Sequence, residues 1–131
     1  MSVSTLVEKL YPKDKAARML AIRSLGQIGA GAATAIPDLV ELVDDADKDI
    51  SSLSLRALAL IGPNKCLKPK LVETLRDPCP RVRQMAAFAL GAMGNDGRDA
   101  VPFLASMLKD EDGGVQMHAL LALSRVAGIQ K

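Results

Sequence analysis

Aromatic side chains are nearly missing from this sequence: it has no tryptophan, one tyrosine and two phenylalanines, together 2% of 131 residues. Proteins that stack on bases or wedge a duplex depend on such rings, so their scarcity argues against nucleic-acid recognition. The net charge of +2 is too small to draw nucleic acid or an anionic membrane by bulk electrostatics. Cysteine is scarce too. Cys66 and Cys79 lie 13 apart, which matches no metal or redox spacing, and they read as reduced thiols, with a disulfide the lesser alternative. No apolar run approaches the roughly 18 residues of a membrane span. The opening Met1-Ser2-Val3-Ser4 has neither the basic nor the apolar region of a secretory leader, so a soluble, cytoplasmic protein is expected.

Apolar residues are plentiful at 49%. With so few rings, the core must be built from Ala, Leu, Ile, Val and Met, which suit close helix packing. These residues recur at a period of 32 to 33. Ala21 to Gly29, Ser54 to Gly62 and Ala86 to Gly94 align, and Ala119 to Ala127 forms a fourth copy without glycine. Pro37, Pro69 and Pro102 repeat in phase, as do Leu39, Leu71 and Leu104, and Asp45, Asp77 and Asp110. A fixed period of this length marks stacked repeats, each of which buries its apolar face on its neighbours.

Each repeat reads as a proline-started B helix followed by a glycine-ended A helix. Leu39/Val43, Leu71/Leu75 and Leu104/Leu108 lie four apart on the buried B-helix face. Leu6 to Leu10 matches Leu39 to Val43 column for column, so the sequence opens on a B helix. The expected helices are roughly 3–11, 14–28, 33–44, 48–61, 65–76, 80–93, 98–109 and 113–127. They form one domain, 1–131, of units 1–28, 33–61, 65–94 and 98–127. Gly94 sits where a left-handed helix cap is favoured. Gly26 and Gly91 lie inside A helices, where glycine costs about 0.5–1 kcal/mol relative to alanine, and close approach of a neighbouring backbone is the expected reason.

The third unit runs Asp77, Val82-Arg83, Ala86-Ala87, Ala89-Leu90-Gly91, Gly94, Pro102, Leu104, Leu108, Asp110. This pattern resembles the HEAT repeat, and most of all the short HEAT-like repeats of phycobilisome-lyase-type proteins. The resemblance implies an all-α, right-handed superhelix of about four two-helix repeats, with B helices on the concave side. It also implies that Asp45, Asp77 and Asp110 bridge adjacent units to Arg18 and Arg83. The second unit departs from the pattern, with Ser51 in the arginine column and Ala59 in the glycine column. It is still expected to form a helical pair.

No catalytic constellation is legible. His118 falls in the column of Leu20, Leu53 and Met85, which reads as largely buried, and both cysteines lie one or two units away. No His-Glu pair occurs, which excludes the di-iron hydroxylase branch that also uses HEAT-like repeats. Gly26 to Gly31 reads as a helix end rather than a phosphate loop. Asp44, Asp45, Asp47 and Asp49 read as turn and cap residues, without the spacing of a calcium loop. No cofactor or metal is expected.

The outward B-helix face is the expected contact surface. Its columns are Thr5, Asp38, Lys70, Phe103, then Glu8, Glu41, Glu73, Ser106, then Lys9, Leu42, Thr74, Met107. Towards the C-terminus this face loses charge and gains Phe103 and Met107, side chains typical of contact anchors. Rotation of the helix to bury Phe103 in the core is the alternative. The predicted partner-binding residues are Lys70, Glu73, Phe103, Ser106 and Met107. A basic stretch, Lys65, Lys68, Lys70 and Arg81, is a second candidate, for phosphate or nucleic acid. On the outer A-helix side, the column Arg23, Arg56, Phe88, Leu121 turns apolar in the last two units. The final helix, with Leu120, Leu121, Leu123 and Val126, has no B helix after it. That suggests a longer array, self-association or a docking site there. The functional expectation is a non-catalytic scaffold or adaptor that binds another protein. Its alternatives are an accessory subunit of a phycobilisome-type bilin lyase, and weak nucleic-acid or phosphate binding through the basic middle repeat.

Overall fold

A computed structural model describes residues 2–11, 14–62 and 67–127. Cys66 and Lys65 of the basic stretch lie outside them. The described residues form helices and turns without strands. They divide into two compact units, Met1–Gly62 and Pro63–Lys131. The first unit holds α1 (Val3–Glu8), α2 (Lys15–Ile28), α3 (Ile36–Leu42) and α4 (Lys48–Ile61). The second holds α5 (Lys68–Thr74), α6 (Pro80–Ala92), α7 (Val101–Ser106) and α8 (Gly113–Val126). Short B helices (α1, α3, α5, α7) alternate with long A helices (α2, α4, α6, α8).

The A helices start on strong local signals. The carboxylates of Asp14, Asp47 and Asp112 accept from backbone amides of the first turns of α2, α4 and α8. Pro80 opens α6, where a missing N–H costs nothing. Gly29 and Gly94, which follow α2 and α6 at φ +72° and +57°, take backbone conformations that favour glycine.

The B helices are shorter than the apolar pattern suggests. Residues Gly29–Ala35 form short 3₁₀ turns broken by a kink at Ala32, Gly94–Ala100 winds as 3₁₀ helix, and the α-helix begins only with Ile36 and Val101. The prolines at 37, 69 and 102 sit in the first α-helical turns, so they mark the true starts. A second 3₁₀ turn, Met107–Lys109, ends α7 early. Leu108, expected on the buried face, is 41% exposed, whereas its counterparts Val43 and Leu75 are buried. Winding at three residues per turn, in place of 3.6, rotates Leu108 away from the core.

The core is aliphatic. In the first unit Ile22, Leu25, Leu39, Ile50 and Leu55 are fully enclosed, and in the second Val82, Leu90, Leu104, Val115 and Val126 are. Each unit is held by one tight crossing of A helices. A Cβ on Gly26 would stand 3.2 Å from the Ala57 Cα, and one on Gly91 would stand 2.9 Å from the Ala122 Cα. Gly91 lets its paired backbones approach more closely than an alanine would permit, and at Gly26 an alanine would fit only with a shift of a few tenths of an ångström. The divergent α4 is a regular helix, with Ser51 fully buried and donating to the Val43 carbonyl at 2.6 Å.

Candidate functional site

The turn before each A helix centres on one aspartate. Asp45, Asp77 and Asp110 each accept, through Oδ1, the backbone amide two residues on, at 2.8 to 2.9 Å. This Asx turn leaves carboxylate oxygen available for an arginine. Arg18 Nη2 donates to Asp45 Oδ2 at 2.9 Å, and its Nε donates to the Leu10 carbonyl. Arg83 grips Asp110 with two bonds, Nε to Oδ2 and Nη2 to Oδ1, both 3.0 Å, while Nη1 donates to the Asp77 carbonyl. Burial pushes the Asp110 carboxyl up, but the Arg83 hydrogen bonds, the Asp112 backbone amide and the Arg83 charge together hold it below the usual carboxylate range. The same hydrogen bonds hold the Arg83 guanidinium further into its charged form.

The whole column has a rule that reading only its arginines misses. Ser51 donates to the Val43 carbonyl and Gln116 Nε2 to the Asp110 carbonyl. All four members of the column therefore tie an A helix to a carbonyl at the end of the preceding B helix or its turn. Arg18 and Arg83 reach the aspartate of the following turn as well.

On the B helices, Glu8 and Glu41 of the first unit and Glu73 and Ser106 of the second are all exposed. In the neighbouring column Thr5, Asp38 and Lys70 are half-buried and Phe103 is 41% exposed. Ser106 donates to the Phe103 carbonyl at 2.6 Å. The third column is not outward throughout. Leu42 and Thr74 are buried, and Met107 is half-buried at the edge of an open cavity of about 560 Å³ that it shares with Arg76, Lys109 and Glu111. Helical spacing puts this column at the seam between outward and inward faces, where residue size decides exposure.

In the basic stretch, Lys68 is engaged by the Asp99 carboxylate at 3.0 Å and the Asp96 carbonyl at 2.9 Å. Arg81 is exposed and Lys70 half-buried. In the acidic run, Lys15 binds Asp49 at 2.7 Å and Asp47 at 3.0 Å, and these bonds raise the Lys15 pKa. The Lys15 hydrogen bond in turn lowers that of Asp47. Tyr11 donates to Asp38, and chiefly that bond pushes the phenol up to about 12.

His118 is half-buried, with Nδ1 2.8 Å from the Gly114 carbonyl. Its column is less buried than expected, since Leu20 is 62% exposed. Leu20 and Ile28 instead line an apolar groove of about 490 Å³ along α1 and α2, a feature the columns did not single out. Of the final helix, Leu120 and Leu121 are exposed, while Leu123 is half-buried and Val126 fully buried. Among the described residues no group of three His, Cys, Asp or Glu could hold a metal, and no helix is long and apolar enough to cross a membrane.

The HEAT repeat profile matches residues 67–130, and the PBS lyase HEAT-like repeat profile matches residues 17–45. Protein YibA of Escherichia coli K12 is 30% identical over 128 residues, 94% of this chain and 46% of that protein. The chain thus spans about half the length of the curated relatives it matches. A designed armadillo repeat protein in complex with the peptide (KR)4 aligns with a TM-score of 0.76 at 24% identity, over 97% of this chain and 65% of that one. The complex of CpcE and CpcF of phycocyanin lyase from Nostoc sp. PCC7120 aligns at 0.75 and 23%, over 98% of this chain and 79% of that one. At these identities the likeness is one of fold. The repeated columns, the eight helices among the described residues and the two profile matches agree that this chain belongs to the HEAT-like repeat proteins, of the phycobilisome-lyase type.

Proposed function

We propose that the chain is a non-catalytic scaffold that binds another protein through the outward rows of its B helices, centred on Lys70, Glu73, Phe103, Ser106 and Met107. The observation that carries this reading is Phe103. In a chain with two phenylalanines, one stands 41% exposed on a short helix beside an exposed serine and a cavity-lining methionine. An exposed ring among polar neighbours is the usual make-up of a contact anchor. Helices packed before binding display that surface with little further ordering, which favours association. The designed armadillo protein, held in complex with a peptide, supports the use of this kind of fold for peptide display.

A second reading, an accessory subunit of a bilin lyase, draws on the likeness to the CpcE and CpcF complex. One experiment separates them. The tagged chain and its Phe103→Glu variant are used for capture from cell lysate, followed by protein identification, visible absorbance and circular dichroism. A protein retained at near-stoichiometric amounts by the wild type and lost by the variant, at equal helicity, is the expected result. Equal retention by both, or loss of helicity with binding, overturns the assignment to Phe103. A bound pigment with visible absorbance transfers the case to the lyase reading.

A further inference from the structure

Charge is divided by helix type in this chain. There are three basic residues in α2, two each in α4 and α6 and one in α8, against a single acid, Asp49. The remaining acids lie in B helices and turns. Several of the cations are engaged: Lys15 by Asp47 and Asp49, Arg18 by Asp45, Arg83 by Asp110. Arg23 and Arg56 differ. Both are exposed, and among the described residues neither has an ion pair or a side-chain hydrogen bond.

These two arginines stand at the tight crossing of the first unit. Where Gly26 lets α2 approach Ala57, the outer surface dips into a cavity of about 110 Å³. Arg23 and Gln27 border it from α2 and Arg56 from α4, while Gly26, Ala57 and Leu60 form an apolar floor. No acidic side chain lines it. We propose that this groove takes a glutamate or aspartate side chain from an acidic peptide segment of a partner protein.

Size, donor chemistry and shape support that occupant. Pockets for small molecules and nucleotides run to about 300–1,000 Å³ and enclose most of the ligand. This groove is too small and open for that, and it suits a single side chain anchored by the rest of a chain. Guanidinium forks match a carboxylate in geometry as well as charge, and Gln27 adds an amide donor. The apolar floor keeps water from one side, which strengthens polar bonds made above it. The second unit supplies an internal contrast. The corresponding crossing of α6 and α8 carries a groove of about 140 Å³ in which Phe88 and Leu121 take the places of Arg23 and Arg56, with Arg125 its one arginine and His118 beside it. A pair of arginines facing each other across the groove is therefore confined to the first unit. The groove shares no residue with the B-helix surface, so either can fail without the other.

The test uses the whole chain and a fluorescein-labelled hexaglutamate peptide, followed by fluorescence anisotropy at low ionic strength. Saturable binding is expected, weakened about tenfold by Arg23→Gln and by Arg56→Gln, as loss of a charge-assisted pair predicts. Lysine at either position is expected to restore little, because it keeps the charge and loses the fork. Arg125→Gln, an equal change of charge in the second unit's groove, is expected to leave binding unchanged. All these sites are exposed and the replacements are good helix formers, so circular dichroism should not change. Absence of saturable binding overturns the proposal. So does equal weakening by Arg125→Gln, or full rescue by lysine, either of which reduces the effect to bulk charge. Tighter binding of a labelled oligothymidylate through the same arginines assigns the groove to nucleic acid instead.

Discussion

The two units solve the same packing problem and then present different surfaces. In each, an interior glycine brings two A helices together, at Gly26 against Ala57 and at Gly91 against Ala122. In each, an arginine ties an A helix to the aspartate of the following turn. The outer side of the crossing differs: Arg23 and Arg56 face each other across it in the first unit, whereas Phe88 and Leu121 take their places in the second and leave Arg125 as the one arginine. Buried positions repeat because neighbouring backbones dictate their volume, whereas outward positions answer only to solvent or a partner. The second unit is also the more tightly built of the two. Its glycine approach is closer, 2.9 Å against 3.2 Å, and its arginine is bidentate where Arg18 makes one bond to its carboxylate.

The glycine crossings offer the sharpest test of that difference. A methyl group on Gly91 would meet backbone at 2.9 Å, so α6 and α8 must separate. Gly91→Ala is expected to lower stability by about 2–3 kcal/mol, at the upper end for overpacking. Gly26→Ala meets its neighbour at 3.2 Å, and alanine's gain of about 0.5–1 kcal/mol in helix propensity offsets the strain. A near-neutral outcome is expected there. Urea denaturation of both variants measures the contrast, and equal losses would show that the two crossings are equally tight.

The arginine bridges come next. Arg83→Ala leaves the largely buried Asp110 without its cation and is expected to cost about 1.5–2 kcal/mol. Arg18→Ala, with one carboxylate bond and more solvent around it, should cost about 1 kcal/mol or less. The pH dependence has a defined sign. Asp110 has a lowered pKa when folded, so its contribution is present above the ordinary aspartate value of about 3.9 and is lost as pH falls through the folded value. In Arg83→Ala, stability should fall less steeply on acidification than in the parent protein. Parallel acid profiles would remove Asp110 as the source of that slope.

The smallest effect is local to the first unit. Tyr11 is the only tyrosine and there is no tryptophan, so near-ultraviolet tyrosinate absorbance reports this phenol alone. Its midpoint is expected near 12 rather than 10.0. The raised value means that the Tyr11–Asp38 bond contributes below pH 10 and is lost as pH rises through the folded midpoint. Asp38→Asn should bring the midpoint back towards 10, and an unchanged midpoint would locate the shift elsewhere.

Much of this was legible in the residue columns. The positions of the A helices, the left-handed Gly94 and the close approaches at Gly26 and Gly91 all follow from a repeat that leaves little freedom at buried sites. The B-helix starts did not follow. Apolar spacing through Ala32 and Ala35 continues across the 3₁₀ segment, and only the in-phase prolines mark where the α-helix begins. Leu108 departs from its column for the same reason: periodicity assumes a constant turn, and three residues of 3₁₀ helix change it. The exposure of Glu8, Glu41, Glu73 and Ser106 agrees with their shared column, whereas Leu42 and Thr74 turn inward.

By itself, the sequence determined the repeat, its period, the all-helical class and the family, because stacking forces the same small and apolar residues back at every turn of the pattern. Only the tertiary structure decided which of those columns meet. It showed that Ser51 and Gln116 keep the backbone half of the arginine bridge. It also placed two cations without acidic partners over one apolar groove. Such facts depend on side-chain reach and on distances between helices far apart in the chain, and neither is encoded in spacing along it.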